Sequence, residues 1–115
     1  MKENIILQKT LVFSVDISNL AVTLRNKGDS VISKQLLRSA TSIGANVHEA
    51  TAAISRKDFI LKMTIASKEA RESMYWLNIL NASRMIDLDY SHYLKSAEEI
   101  VKILTAIIKT SQSKQ

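Results

Sequence analysis

The chain has 115 residues, too few for more than one ordinary domain and enough to bury a real core. It has no cysteine, no proline and only two glycines, Gly28 and Gly44, which rules out disulfides and thiolate metal sites and argues strongly against an all-β fold. A hydrophobic fraction of 46% excludes intrinsic disorder, and a net charge of +5 permits an acidic partner such as nucleic acid without requiring one.

The opening segment, MKENIILQKTLVF, carries a short apolar run broken by Gln8 and Lys9 and lacks a small-residue cleavage site, so it does not read as a signal peptide. No apolar run approaches the roughly 20 residues of a membrane span, so no membrane is expected and the cytoplasm is the expected location. Helical spacing predicts a first helix over about 3–26, with Ile6, Val12, Phe13, Ile17, Leu20, Ala21 and Leu24 as its apolar positions. Arg25, Lys27 and then Gly28 form a helix stop: cations offset the C-terminal dipole and glycine takes the left-handed conformation. Asp29 or Ser30 then caps a second helix over about 31–53.

That second helix holds the line Leu36, Ala40, Ile43, Val47 and Ala50 together with many small residues, Ser39, Ser42, Gly44 and Ala45 among them. A mid-helix glycine costs about 1 kcal/mol relative to alanine, so its presence points to close contact with a neighbouring surface. Ser55-Arg56-Lys57-Asp58 reads as a capping box, with the serine oxygen on the Asp58 amide and the carboxylate reaching back to the cap. The third helix, over about 56–84, has one apolar line at Phe59, Met63, Ala66, Ala70, Met74 and Leu77 and another at Ile65, Trp76 and Ile79. Asp87, Asp89 or Ser91 caps the fourth, over about 91–110, with Leu94, Ala97, Ile100, Val101, Ile103, Leu104, Ala106, Ile107 and Ile108 apolar and a frayed polar tail after it. Short connections between long helices predict an all-α, up-down-up-down antiparallel four-helix bundle filling one domain, 1–115. The apolar positions on helices three and four exceed what one bundle core needs, which predicts leftover apolar surface there and self-association.

Motifs for chemistry are few. His48-Glu49 begins a zinc-protease pattern, but the second histidine one turn on is replaced by Ala52. Glu69-Ala70-Arg71-Glu72 lacks the histidine that a di-metal bundle site needs, so neither a metal nor a cofactor is expected. Neither His48 nor His92 has a serine and acid partner readable from spacing, and there is no phosphate loop or dinucleotide fingerprint; no enzyme is expected. For Glu49 and Glu69 a partly buried polar network with Asn46, Arg38 or Arg71 is the favoured reading, whereas solvation or weak surface pairing is favoured for Glu72.

The cations have two readings. Lys34 and Arg38 lie one turn apart, Arg56, Lys57 and Lys62 cluster at the start of helix three, and Lys95, Lys102 and Lys109 recur every seven residues among Glu98 and Glu99. The bland reading is a solvated face laced with ion pairs. The functional one is a phosphate-tracking, salt-sensitive surface for RNA or DNA, with no nucleic-acid motif behind it and few aromatics to stack bases.

QLLRSATSIGAN, then Glu49, a break, SRKDF, and a helix ending in Tyr75-Trp76-Leu77 resemble the four-helix-bundle proteins of the 23S rRNA-intervening sequence family, over nearly the whole chain. The resemblance implies a left-handed antiparallel bundle, similar to the accessory protein of diversity-generating retroelements, which assembles as a barrel-like pentamer and binds nucleic acid and a reverse transcriptase. It therefore implies a homopentamer, with Ser39, Ser42, Asn46, Glu49, Asp58, Phe59, Ala66, Glu69 and Glu72 as structural or assembly residues. One departure is Ala50, where many members have glycine after the glutamate; alanine lets helix two continue, so its turn into helix three is expected to differ.

The first expectation is thus a non-enzymatic oligomeric binding or scaffolding bundle, its partner nucleic acid or a nucleic-acid enzyme. The alternative is a protein-only interaction module with incidental basic charge. The third and weakest is an enzyme using Glu49, Glu69 and Glu72.

Overall fold

The computed structural model describes residues 2–114, with Met1 and Gln115 outside the described range. Four helices follow one another: α1 (Lys2–Asn26), α2 (Ile32–Ala50), α3 (Arg56–Ser83) and α4 (Ser91–Ser113). Each packs on the next, and α1 closes the ring on α4, while no Cα pair of α1 and α3 or of α2 and α4 comes within 8 Å. The extents of 47 × 20 × 20 Å are those of four rods two deep, each helix diameter being about 10 Å. Contact partners fall along one helix as they rise along the next: Arg38 meets Glu69 and Glu72 whereas Glu49 meets Lys62.

The expected apolar lines meet on the bundle axis. Ile6, Phe13, Ile17 and Leu24 of α1, Leu36 and Ile43 of α2, Met63, Leu77 and Leu80 of α3, and Ile100 and Leu104 of α4 are all buried. Six buried alanines, Ala21, Ala40, Ala50, Ala66, Ala70 and Ala97, leave little bulk between facing backbones and let the helices approach closely.

The ends are set by local chemistry. Gly28 has φ 107°, and Asp29 N–H donates to the Leu24 carbonyl at 2.9 Å, closing α1 in a left-handed turn. The buried Asp29 carboxylate accepts from the amides of Val31, Ile32 and Ser33 and so caps α2. Ser55 Oγ accepts from the Asp58 amide at 3.0 Å, as the capping box predicts, but Asp58 reaches past the cap to the Ile54 amide at 3.3 Å. Asp89 accepts from both the amide and the hydroxyl of Ser91 at the start of α4. In the α3–α4 connection Arg84 takes φ 55°, and Ile86 and Tyr90 fold inward to plug that end of the core, the Tyr90 hydroxyl donating to the Ile86 carbonyl.

Several expectations need correction. α2 stops at Ala50 rather than continuing to Ala53, even without glycine, because the amides of Thr51, Ala52 and Ala53 tighten onto carbonyls three residues back and the Thr51 hydroxyl takes the His48 carbonyl. α4 continues to Ser113, through the tail expected to fray, with the Ser113 hydroxyl on the Thr110 carbonyl. Val12 is not in the core but half exposed. The leftover apolar surface lies mainly on α1, not on α3 and α4: Ile5, Leu11, Val12, Val15 and Val22 are exposed, whereas α3 exposes only Leu61 and Tyr75 and α4 no large apolar side chain. Finally, Asn4–Asn26 does meet the length and mean hydropathy, 1.4, of a membrane span. One side of that helix forms the bundle core, which is the ordinary reason for such a composition.

Candidate functional site

Three surfaces hold the residues singled out above. The first is the α2–α3 seam. Arg38 bridges two carboxylates, meeting Glu69 at 3.0 Å through Nη1 and Glu72 through Nη2. The Trp76 indole N–H also donates to Glu72, at 2.9 Å. That indole bond, aided by the Arg38 guanidinium, holds the Glu72 carboxyl below the usual carboxylate range, and the two carboxylates raise the Arg38 guanidinium above its own. Beneath this lies a buried hydroxyl pair, Ser39 and Ser73, 2.8 Å apart, each also within reach of a carbonyl of its own helix. Farther along, Lys62 meets Glu49 at 2.8 Å and draws its carboxyl downward, but Glu49 stays exposed.

The favoured network thus forms around Glu69, with Arg38, and takes in Glu72, for which the residue pattern favours solvation or weak surface pairing and the resemblance a structural role. It does not take in Glu49, Asn46 or Arg71 as expected. Asn46 donates only to Ser42 one turn back. Ser39 was expected; its partner Ser73 was not, because nothing in a serine's sequence context shows which helix will face it. Among the described residues no three His, Asp or Glu side chains gather as a metal site.

The second surface is the outer face of α1. Asn4, Ile5, Gln8, Leu11, Val12, Val15, Asn19 and Val22 form it, without one charge, and its five large apolar side chains are between 47% and 65% exposed. The charged Lys9 and Asp16 turn aside to α4, where they meet Glu99 and His92. Along its α2 edge runs a groove of about 650 Å³, with Leu7, Leu11 and Ser14 on one wall and Thr41, Gly44, Ala45 and His48 on the other. Gly44 sits on this contact: a Cβ there would lie 3.4 Å from Ser14 Oγ and 3.5 Å from the Thr10 carbonyl, ordinary contact distances.

The third surface is cationic. Of the basic residues proposed for nucleic acid, Arg38, Lys62 and Lys102 are engaged with carboxylates, Lys102 with Glu98. Lys34, Arg56, Lys57, Lys95 and Lys109 are exposed and form no ion pair among the described residues, but they scatter over three helices. Among the described residues, Lys57, Lys68 and Arg71 share an exposed face of α3 with Leu61, Thr64 and Tyr75, with no exposed acid among them. Lys68, Arg71 and Tyr75 are absent from the residues proposed above, though their spacing opposite the Met63–Ala66–Ala70–Leu77 line carried the signal.

Fold and surfaces together define an all-α four-helix bundle whose buried side-chain polar atoms, among the described residues, all have hydrogen-bond partners and whose outer faces differ in character. The family model of the 23S rRNA-intervening sequence protein matches residues 2–106, and the chain belongs to that family. It is similar to a crystal structure, from Bacteroides thetaiotaomicron VPI-5482, of a protein with unknown function from the S23 ribosomal protein family: identity is 47%, 95% of this chain and 99% of that one are covered, and the TM-score is 0.90. No curated protein matches the chain.

Proposed function

We propose that the protein is a non-catalytic, self-assembling helical scaffold of the cytoplasm that binds nucleic acid or a nucleic-acid enzyme on its basic exterior. The observation that carries this reading is the uncharged, apolar outer face of α1. Large apolar side chains aligned over some five turns of a helix are what an interface between copies requires, and a monomer rarely leaves such a stripe in water. A stable interface buries about 800 Å² on each partner, more than one helical stripe supplies, so the α1–α2 groove is assigned to the same contact. Five copies is the number the family resemblance implies. A contact in which this surface meets a different face of the neighbouring copy closes such rings.

A non-catalytic role is supported by the fate of the carboxylates: Glu49, Glu69 and Glu72 are occupied by Lys62, Arg38 and Trp76. Light scattering coupled to size exclusion tests the assembly. A mass several times 12.9 kDa is expected, and a monomer at micromolar concentration would overturn it.

A further inference from the structure

We propose that the outer face of α3 is a docking track for single-stranded nucleic acid, in which Lys57, Lys68 and Arg71 hold phosphates and Tyr75 stacks on a base. This rests on the nucleic-acid reading above and gives it an address. The track is charge-complementary to a phosphate backbone near both its ends: its three cations form no ion pair among the described residues, uncharged Leu61 and Thr64 lie between Lys57 and Lys68, and no acid is among its exposed side chains. The acids beside it, Glu69 and Glu72, turn toward α2, where Arg38 offsets them. By contrast, the outer face of α4 alternates its lysines with Glu98 and Glu99, and Lys9 and Lys102 are already paired to these.

Tyr75 decides between polyanions. It is 60% exposed, and its ring stands edge-on to Trp76, with centroids 5.4 Å apart. Trp76 is itself pinned by its bond to Glu72, so the tyrosine leans on a fixed support. The helical rise places Arg71 about 4.5 Å beyond Lys68 along the axis and Tyr75 about 6 Å further, so neighbouring nucleotides can meet cations and then a ring. An acidic peptide would engage the cations and leave the ring without a role. A duplex keeps its bases stacked inside, whereas a single strand can offer one. α3 lies diagonally across the bundle from α1, so the track stays open when copies join through α1. An assembly would then present several tracks to one strand, multiplying the affinity of each.

The test is fluorescence anisotropy with a labelled 20-nucleotide oligouridine, an abasic strand of the same length and an RNA duplex, at several salt concentrations, with assembly mass and melting curve recorded for each variant. Expected are binding to the intact strand ahead of the duplex, a loss of at least tenfold in K68E/R71E, and a salt slope shallower by about 1.4 for the two phosphate contacts removed. Y75A should lose about fivefold on the intact strand and nothing on the abasic one. Equal loss in the α4 variant K95E/K109E, or equal affinity of the wild type for intact and abasic strands or for duplex, would overturn the track while leaving nucleic-acid binding in place. No binding by an assembled wild type at low salt would overturn the track and the nucleic-acid partner together.

Discussion

The outer faces of α1 and α3 occupy equivalent places on opposite corners of one bundle, yet they differ in chemistry. That of α1 has five large apolar side chains and no charge from Asn4 to Val22; that of α3 has three cations in no ion pair among the described residues, with one leucine, one threonine and one tyrosine. Both helices supply the same kind of core line inward. The difference shows that the bundle core constrains the inward side of each helix and leaves the outward side free to vary.

The largest effect expected from breaking this contrast is V12E/V15E. Two carboxylates in the middle of the α1 stripe should reduce the assembly to 12.9 kDa by light scattering while leaving the helical circular dichroism intact, since neither side chain is buried in the bundle. Each released copy should keep the α3 track, so the affinity of a short strand should change little while that of a long strand falls. Loss of folding together with mass would show instead that α1 owes its apolar face to the bundle itself.

Ser73→Ala acts in the α2–α3 seam, apart from both faces, and serves as their control. It removes one member of the buried hydroxyl pair but leaves Ser39 the Leu36 carbonyl, so a loss of about 1 kcal/mol by denaturant unfolding is expected, with assembly and binding unchanged at native conditions. In the double variant S39A/S73A the loss should fall short of the sum of the singles, because the two hydroxyls are partners.

The seam beside α3 carries a pH signature. The Glu72 carboxyl is held below its ordinary value of 4.5, first by Trp76 and then by Arg38. A depressed carboxylate contributes stability above the unfolded-state value and loses it as pH falls through the folded one. Stability should therefore decline from about pH 4.5 downward, and the decline should be shallower in Trp76→Phe, which removes the largest cause. An unchanged slope would mean that Glu72 does not feel the indole.

The smallest expected effect concerns the groove at the edge of the α1 stripe. A methyl at Gly44 meets its neighbours at ordinary distances, so Gly44→Ala should raise stability by about 0.5 kcal/mol through the gain in helix propensity. If unfolding shows that gain while the assembly weakens, the glycine is kept for a neighbouring copy and the groove belongs to the interface. A gain with unchanged assembly would confine the interface to the stripe.

What could be read from the sequence was whatever depends on a few consecutive turns. The lines through Leu36–Ala50 and Met63–Leu77, the stop at Gly28 and the serine cap at Ser55 follow from helical period, the left-handed preference of glycine and hydrogen bonds spanning three residues, and each stands in the structure. The tertiary structure alone decided which apolar residues of α1 stay outside. That helix is apolar nearly all round, so its pattern holds no contrast from which to choose between Phe13 and Val12. It also decided which cations are neutralised, because Arg38 meets Glu69 and Glu72 across more than thirty residues of chain and Lys62 meets Glu49 across a reversal. Pairing of that kind depends on how two helices are set against each other, which no local spacing contains.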